Sequence, residues 1–482
     1  MPIQSIDPKT GTTLTEPFQD SSLAEINELV EKSQAAFEEW AEASSDDRAK
    51  VLTAIANVLD ENVEELAKLA DQETALGMPR LIGEVARTTF QLRLFASELT
   101  KKELLREDFD EKVEGAPPQG RPQLDRRWVA LGPVAVFGAS NFPFAFGELG
   151  GDTASALAAG CTVVVKEHPA HAQLAQKVVE LARGAINAAG FNENILLSVR
   201  GFQAGSELVK HKLIKACGFT GSQAAGRALF DLAVSREVPI PFYGELGSIN
   251  PVFVTENAAK ERASEIAQGF VASFTLGAGQ FCTKPSLILV PESSNFEAET
   301  IKAIDPMSFS TLLTPDIQNK FLKDVALVTS KTGVKTLLEP KAKADGYGVS
   351  IGLMSVTLKD FLANLHEISH ECFGPIALVV TYQDESELLT VAKQLEGALV
   401  TTFHAALPHD EEILKKLTKI SKHRAGRLVL NGWPTGVAVT RAQHHGGPYP
   451  ASTNVLFTSV GSYAMMRFVR PVTYQDYPTD LI

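Results

Sequence analysis

From residue 128 onward, short apolar runs alternate with helix-length segments, and this alternation limits the possible fold more than any other feature. WVALGPVAVFGA (128–139) is strand-like and ends in glycine, and GGDTASALAAG (150–160) reads as a helix of small residues. CTVVVK (161–166) reads as a buried strand, and AQLAQKVVELARGAINAAG (172–190) as a helix. Two more strands follow at ILLSVRG (195–201) and IKACGFTG (214–221). Strands separated by helices build parallel βαβ units, so the sequence predicts an α/β fold. LILVPES, GPIALVVTY and RLVLNG continue the pattern less regularly between residues 250 and 445.

Residues 22–115 read differently, as three helical runs. The first opens with Ser22 and has Glu25 three residues later, a helix-start pattern. Its apolar positions Leu23, Ile26, Leu29 and Val30 recur at helical spacing. EGAPPQGRPQLDRR (114–127) is rich in Pro, Gly and charge and reads as a loop or exposed hairpin. RFVRPVTYQDYP near the end contains proline within β-forming residues, which favours an edge or intersubunit strand.

With 482 residues the chain holds roughly three domains' worth of material. A net charge of −13 disfavours nucleic acid as a partner, because phosphate binding needs a basic surface. No apolar run approaches the roughly 18 residues of a membrane span. The start, MPIQSIDPKTG, lacks a signal peptide's basic and apolar regions, so the expected compartment is the cytoplasm. Cys161, Cys217, Cys282 and Cys372 are scattered without a CxxC pair, and suggest neither a metal site nor a disulfide framework.

Four segments carry candidate chemistry. LGAGQFCTKP (276–285) places Cys282 in a glycine-rich bend, where neighbouring amides or a base can support a thiolate. PFYGELGSINP (241–251) places Glu245 between glycines. VAVFGASNFPFAF (134–146) sets Asn141 after a strand, where its amide can donate to an oxyanion. GFTGSQAAGRALF (218–230) has Gly221 and Gly226 between a strand and a helix, but matches neither the dinucleotide fingerprint nor the P-loop. Taken singly, a buried cysteine, a surface glutamate and a turn asparagine are the commoner readings.

Their order and spacing jointly resemble the aldehyde dehydrogenase superfamily over essentially the whole chain. DPKTG, TVVVKEHP (162–169) and ECFGP (371–375) add to that resemblance. It implies a Rossmann-like cofactor domain (1–114 and 133–247), an α/β catalytic domain (248–451) and oligomerisation segments (115–132 and 452–482). It further implies that Cys282 is the nucleophile, Glu245 the general base, and Asn141 an oxyanion donor together with the Cys282 amide. For the cofactor it implies Lys166 at the ribose, Gly221 and Ser222 under the pyrophosphate, and Glu371 and Phe373 at the nicotinamide end. A homodimer or homotetramer acting on a small-molecule aldehyde follows from the same resemblance.

Ser140, Ser248, Ile249 and the segments GQFCTKP, NGWPTGV (431–437) and HHGGPYPAST (444–453) depart from the commonest family pattern. They resemble the branch containing α-ketoglutarate semialdehyde dehydrogenases and the luminous-bacterial fatty aldehyde dehydrogenase. That implies 2,5-dioxopentanoate as substrate, with longer aliphatic aldehydes as the alternative. CoA-acylating and non-enzymatic readings are disfavoured by the presence of Glu245, Cys282 and Asn141. A substrate carboxylate would need a cation. Lys284 is the first candidate, with Arg121, Arg126, Arg127 and Arg441 as others, and His445 is expected to border the site. For the cofactor, Glu167 would repel a 2′-phosphate and Arg200 would attract one. The reading leans to NAD over NADP.

Overall fold

The computed structural model describes residues 3–481. It opens with a short antiparallel ladder, β1 (Ile6–Asp7) with β2 (Thr12–Thr13). Four helices follow: α1 (Leu23–Trp40), α2 (Ser45–Glu61), α3 (Val63–Thr74) and α4 (Met78–Lys101). Ser22 caps α1 by accepting the Glu25 amide at 3.2 Å. The second of the three expected runs is two helices. Asn62 leaves helical geometry (φ −112°, ψ 16°) and turns its side chain back onto the Val58 carbonyl at 2.7 Å.

β3 (Asp108–Asp110) and β4 (Leu124–Ala130) precede the first large sheet. That sheet is built from β5 (Val134–Phe137), α5 (Gly151–Ala158), β6 (Val163–Lys166), α6 (Ala172–Ala188), β7 (Leu196–Val199), α7 (Phe202–Lys210), β8 (Ala216–Thr220), α8 (Gln223–Val234) and β9 (Phe242–Glu245). All five strands are parallel, in the order β7-β6-β5-β8-β9. The chain winds outward through β6 and β7, then returns to the other side of β5. The switch point between β5 and β8 leaves a crevice at the strands' C-terminal ends, the usual ligand position in such sheets. Leu52, Ile55, Leu92 and Phe95 of the N-terminal helices pack with Val136 and Val165 in one buried cluster. Each such side chain contributes about 1.5–3 kcal/mol.

A seven-stranded sheet forms the second layer system. Its parts are β10 (Val252–Val254), α9 (Glu256–Thr275), β11 (Leu287–Pro291), β13 (Lys335–Leu338), β15 (Gly352–Thr357), β16 (Ile376–Tyr382), β17 (Ala398–His404) and β18 (Ala425–Leu430). A small antiparallel pair, β12 (Phe309–Thr311) with β14 (Gly348–Ser350), lies beside it. The order is β13-β15-β16-β11-β10-β17-β18, parallel except for the edge strand β13.

β19 (Val469–Gln475) pairs antiparallel with β4 along seven residues, giving a third sheet in the order β19-β4-β3. Pro471 sits on this edge strand, where its missing N–H costs no ladder bond inside a sheet. The sheet therefore begins at Asp108, before the expected segment. Residues 452–461 do not join it. Thr453 Oγ1 instead bonds the Phe242 carbonyl at 2.7 Å and accepts the Gly244 amide at 2.8 Å, sealing this segment against β9.

Candidate active site

Cys282 follows α9 and a tight turn at Leu276–Gly279, in which Gly277 and Ala278 are both left-handed. A Cβ on Gly279 would fall 2.1 Å from the Gly374 carbonyl, so only glycine permits this approach. Asn250 pins the bend from the other side. Its Nδ2 donates to the carbonyls of Cys282 (2.8 Å) and Lys284 (3.0 Å), and its Oδ1 accepts from the Val400 amide (3.1 Å). The Cys282 loop is thereby fastened to β17.

The Cys282 sulfur lies 3.5 Å from His445 Nε2, and that nitrogen lies 2.8 Å from Glu245 Oε1. Glu245 ends β9, is 4% exposed, and also accepts a short hydrogen bond from Ser459. Burial pushes the Glu245 carboxyl up. Attraction to His445 and hydrogen bonds from His445, Ser459 and Cys282 outweigh this and hold it below the usual range. The Cys282 thiol is pushed well above its ordinary value, first by burial and then by the Glu245 charge. Burial also pushes the Cys161 and Cys372 thiols to about 11 and Cys217 to about 12. A raised thiol therefore distinguishes none of the four. Geometry does: Cys282 is the one cysteine not fully buried among the described residues, and a base stands within reach.

Asn141 leaves the C-terminal end of β5 and directs Nδ2 to the Gln280 carbonyl at 2.8 Å, two residues before the cysteine. The amide's second N–H is not committed by that bond. One face of α4 braces this loop. Arg80 donates to the Asn141 carbonyl at 2.5 Å, and Glu84 accepts the amides of Phe144 (2.9 Å) and Ala145 (3.1 Å). The sequence reading missed Asn250, Ser459 and this face of α4. For α4 a signal exists: polar Arg80, Glu84, Arg87 and Gln91 recur at helical spacing within an apolar helix.

On the crevice side, Gly221 and Ser222 are exposed where α8 begins, and Ser222 caps it by accepting the Ala225 amide. The Gly221 amide donates to the Glu245 carbonyl at 3.1 Å, linking this turn to the end of β9. Free amides at a helix start suit an anion such as a pyrophosphate. Lys166 ends β6 half-buried. Burial pulls its ammonium down against opposing attraction from Glu148, Glu167 and Asp20. Glu167 is not the free acidic group that the sequence suggested. It is 3% exposed and locked to Arg200 (3.0 and 3.2 Å) and Ser198 (2.7 Å), so Arg200 is not a free cation either. Glu371 lies against the Gly247 turn, and Phe373 is half-buried on the same segment. Burial, partly opposed by Lys284, pushes the Glu371 carboxyl up to about 7.

Lys284 does not face a substrate. Its fully buried ammonium donates to the carbonyls of Cys372 (2.5 Å), Gly374 (2.9 Å) and Ile376 (3.2 Å), which uses all three of its hydrogens. It ties the cysteine loop to the Glu371–Gly374 segment. Arg126 pairs with Asp108, Arg127 with Asp125 and Arg441 with Glu103, while Arg121 bonds the Glu111 carbonyl. None of these four is directed at Cys282.

The chain belongs to the aldehyde dehydrogenase family, whose model matches residues 1–471. It is accordingly an oxidoreductase acting on aldehydes. Within the family it is 39% identical to alpha-ketoglutaric semialdehyde dehydrogenase 2 of Azospirillum brasilense, covering 100% of this chain and 92% of that one. It is 38% identical to alpha-ketoglutaric semialdehyde dehydrogenase of Acinetobacter baylyi, covering 95% and 88% respectively. The fold is shared with 1-pyrroline-5-carboxylate dehydrogenase from Thermus with bound NAD (TM-score 0.83, 20% identity, covering 98% and 90%).

Proposed function

We propose that this enzyme oxidises 2,5-dioxopentanoate to 2-oxoglutarate with a nicotinamide dinucleotide. The observation that carries the chemistry is the Cys282–His445–Glu245 alignment, at 3.5 and 2.8 Å. The substrate rests on likeness to two relatives named for α-ketoglutaric semialdehyde. In this reading the thiol proton passes toward His445 and Glu245 as sulfur attacks the aldehyde carbon. The resulting oxyanion is met by Asn141 Nδ2 and the Cys282 amide. The dinucleotide, held by Lys166, the Gly221–Ser222 turn, Glu371 and Phe373, supplies the hydride acceptor when bound. Once the thiol's proton has passed on to solvent, Glu245 takes a proton from water, which attacks the thioester; the C–S bond breaks, the carboxylate leaves, and the proton on Glu245 returns to the sulfur.

The Glu167–Arg200 pair leaves a nearly neutral surface beside Lys166, and NAD is the proposed preference. We also assign assembly into a homodimer or homotetramer to the β19-β4-β3 sheet. Steady-state kinetics on 2,5-dioxopentanoate, succinic semialdehyde, hexanal and decanal with each cofactor test the assignment. Highest kcat/KM on 2,5-dioxopentanoate with NAD is expected. A higher value on decanal overturns the substrate, and a CoA-dependent product overturns the hydrolytic step.

A further inference from the structure

α4 presents Arg80, Glu84, Arg87 and Gln91 along one face, at i, i+4, i+7 and i+11. Three of them touch the site already described. Arg80 and Glu84 hold the Asn141 loop. Gln91 lies against Gly151, where a Cβ would meet both its amide nitrogen (2.9 Å) and the carbonyl of Ser459 (3.2 Å), the residue bonded to Glu245. Arg87 stands between them on that face of α4.

Arg87 Nη1 donates to the Val437 carbonyl at 2.5 Å. Arg427, on β18, donates to the neighbouring carbonyls of Gly436 (2.9 Å) and Pro434. Two guanidinium groups, one from helix α4 and one from strand β18, thus grip one short segment, residues 434–437. In each, Nε is buried and has no hydrogen-bond partner among the described residues. Neither arginine forms an ion pair among the described residues: Glu84 Oε1 takes the Phe144 and Ala145 amides, and its Oε2, 3.9 Å from Arg80, has no hydrogen-bond partner. Burial pulls both guanidinium groups below their ordinary range. The charges opposing this are Glu84, Cys282 and Glu245 for Arg87, and Cys282 for Arg427.

A partly buried cation without an ion-pair partner is costly, and a planar guanidinium matches a carboxylate edge-on. An anionic substrate approaching Cys282 would also meet the charge of Glu245, so it needs a compensating cation on its far side. We propose that Arg87, backed by Arg427, is the subsite for the carboxylate at the end of the substrate away from the aldehyde. Segment 434–437 holds the two guanidinium groups in place through its carbonyls. This inference rests on the semialdehyde reading above and deepens it.

The test compares glutarate semialdehyde with pentanal, an aldehyde of equal length without the carboxylate. In Arg87→Met, the ratio of kcat/KM for glutarate semialdehyde over pentanal is expected to fall by about 10²-fold or more. Most of that fall should lie in KM. Arg87→Lys should restore part of the ratio, and Arg427→Gln should lower it about tenfold. Free glutarate should compete with aldehyde in the native enzyme, and more weakly in Arg87→Met and Arg427→Gln. Equal losses on both aldehydes, or an unchanged ratio, overturn the subsite. Should Arg87→Met fail to fold, Arg427→Gln and glutarate competition decide. If the ratio falls as expected but 2,5-dioxopentanoate is a poor substrate, the subsite stands and the substrate assignment fails.

Discussion

Glu245 has two neighbours that compete for its carboxylate, His445 and Ser459, and both favour its charged form. A glutamine there keeps the shape but cannot take a proton from water. Glu245→Gln is therefore expected to slow thioester hydrolysis by about 10²–10⁴-fold. Stopped-flow absorbance should show a burst of reduced cofactor followed by slow turnover; unimpaired steady-state turnover excludes the role. Removing the Asn141 amide with Asn141→Ala should raise the barrier by about 2.7–4 kcal/mol, read as kcat. Glu371 gives a stability test. Its carboxyl is pushed to about 7 when folded against an ordinary 4.5, so the folded state binds the extra proton. Stability is then lost as pH rises from about 4.5 to 7 and stays lost above that. Glu371→Gln should raise stability at pH 8, read as a higher Tm, and leave it unchanged near pH 4.5. Glu167→Gln would release Arg200, and should raise kcat/KM with NADP relative to NAD.

At the level of elements, α8 must lie close to β8 and β9 for its exposed start to face the crevice. Gly226 permits this: a Cβ there would sit 2.2 Å from Leu246 and 3.0 Å from Phe219. Gly226→Ala is expected to cost about 1–3 kcal/mol in denaturant melts. It should also raise KM for the dinucleotide, since α8 would shift; an unchanged KM would mean that this helix does not set the site. The elements themselves were largely legible. β6 announces itself through Val163, Val164 and Val165, and α1 through Ser22 and its helical apolar spacing. The division of α2 from α3 was not, because a single asparagine bonded to its own preceding turn ended the helix without glycine or proline.

Across the whole molecule, three sheets of three or more strands share the described residues, and the three-stranded one draws on segments more than 300 residues apart. Its strand β3 is exposed at an edge, a surface that invites pairing with another copy. The membrane question is narrower: no described helix is long and apolar enough to cross a bilayer. The sequence by itself determined the alternation that makes the two large sheets. It also picked out Cys282, Glu245 and Asn141 as candidates, because hydrophobic period and residue chemistry are local properties. Tertiary structure decided which charges are free. Lys284 follows Cys282 by two residues yet is sealed among carbonyls 88 to 92 positions away. Glu167 is neutralised by Arg200, and Arg87 meets Val437 across 350 residues. Pairings at such separations leave no mark in local spacing, since the electrostatics of a buried group depend on what folding brings beside it.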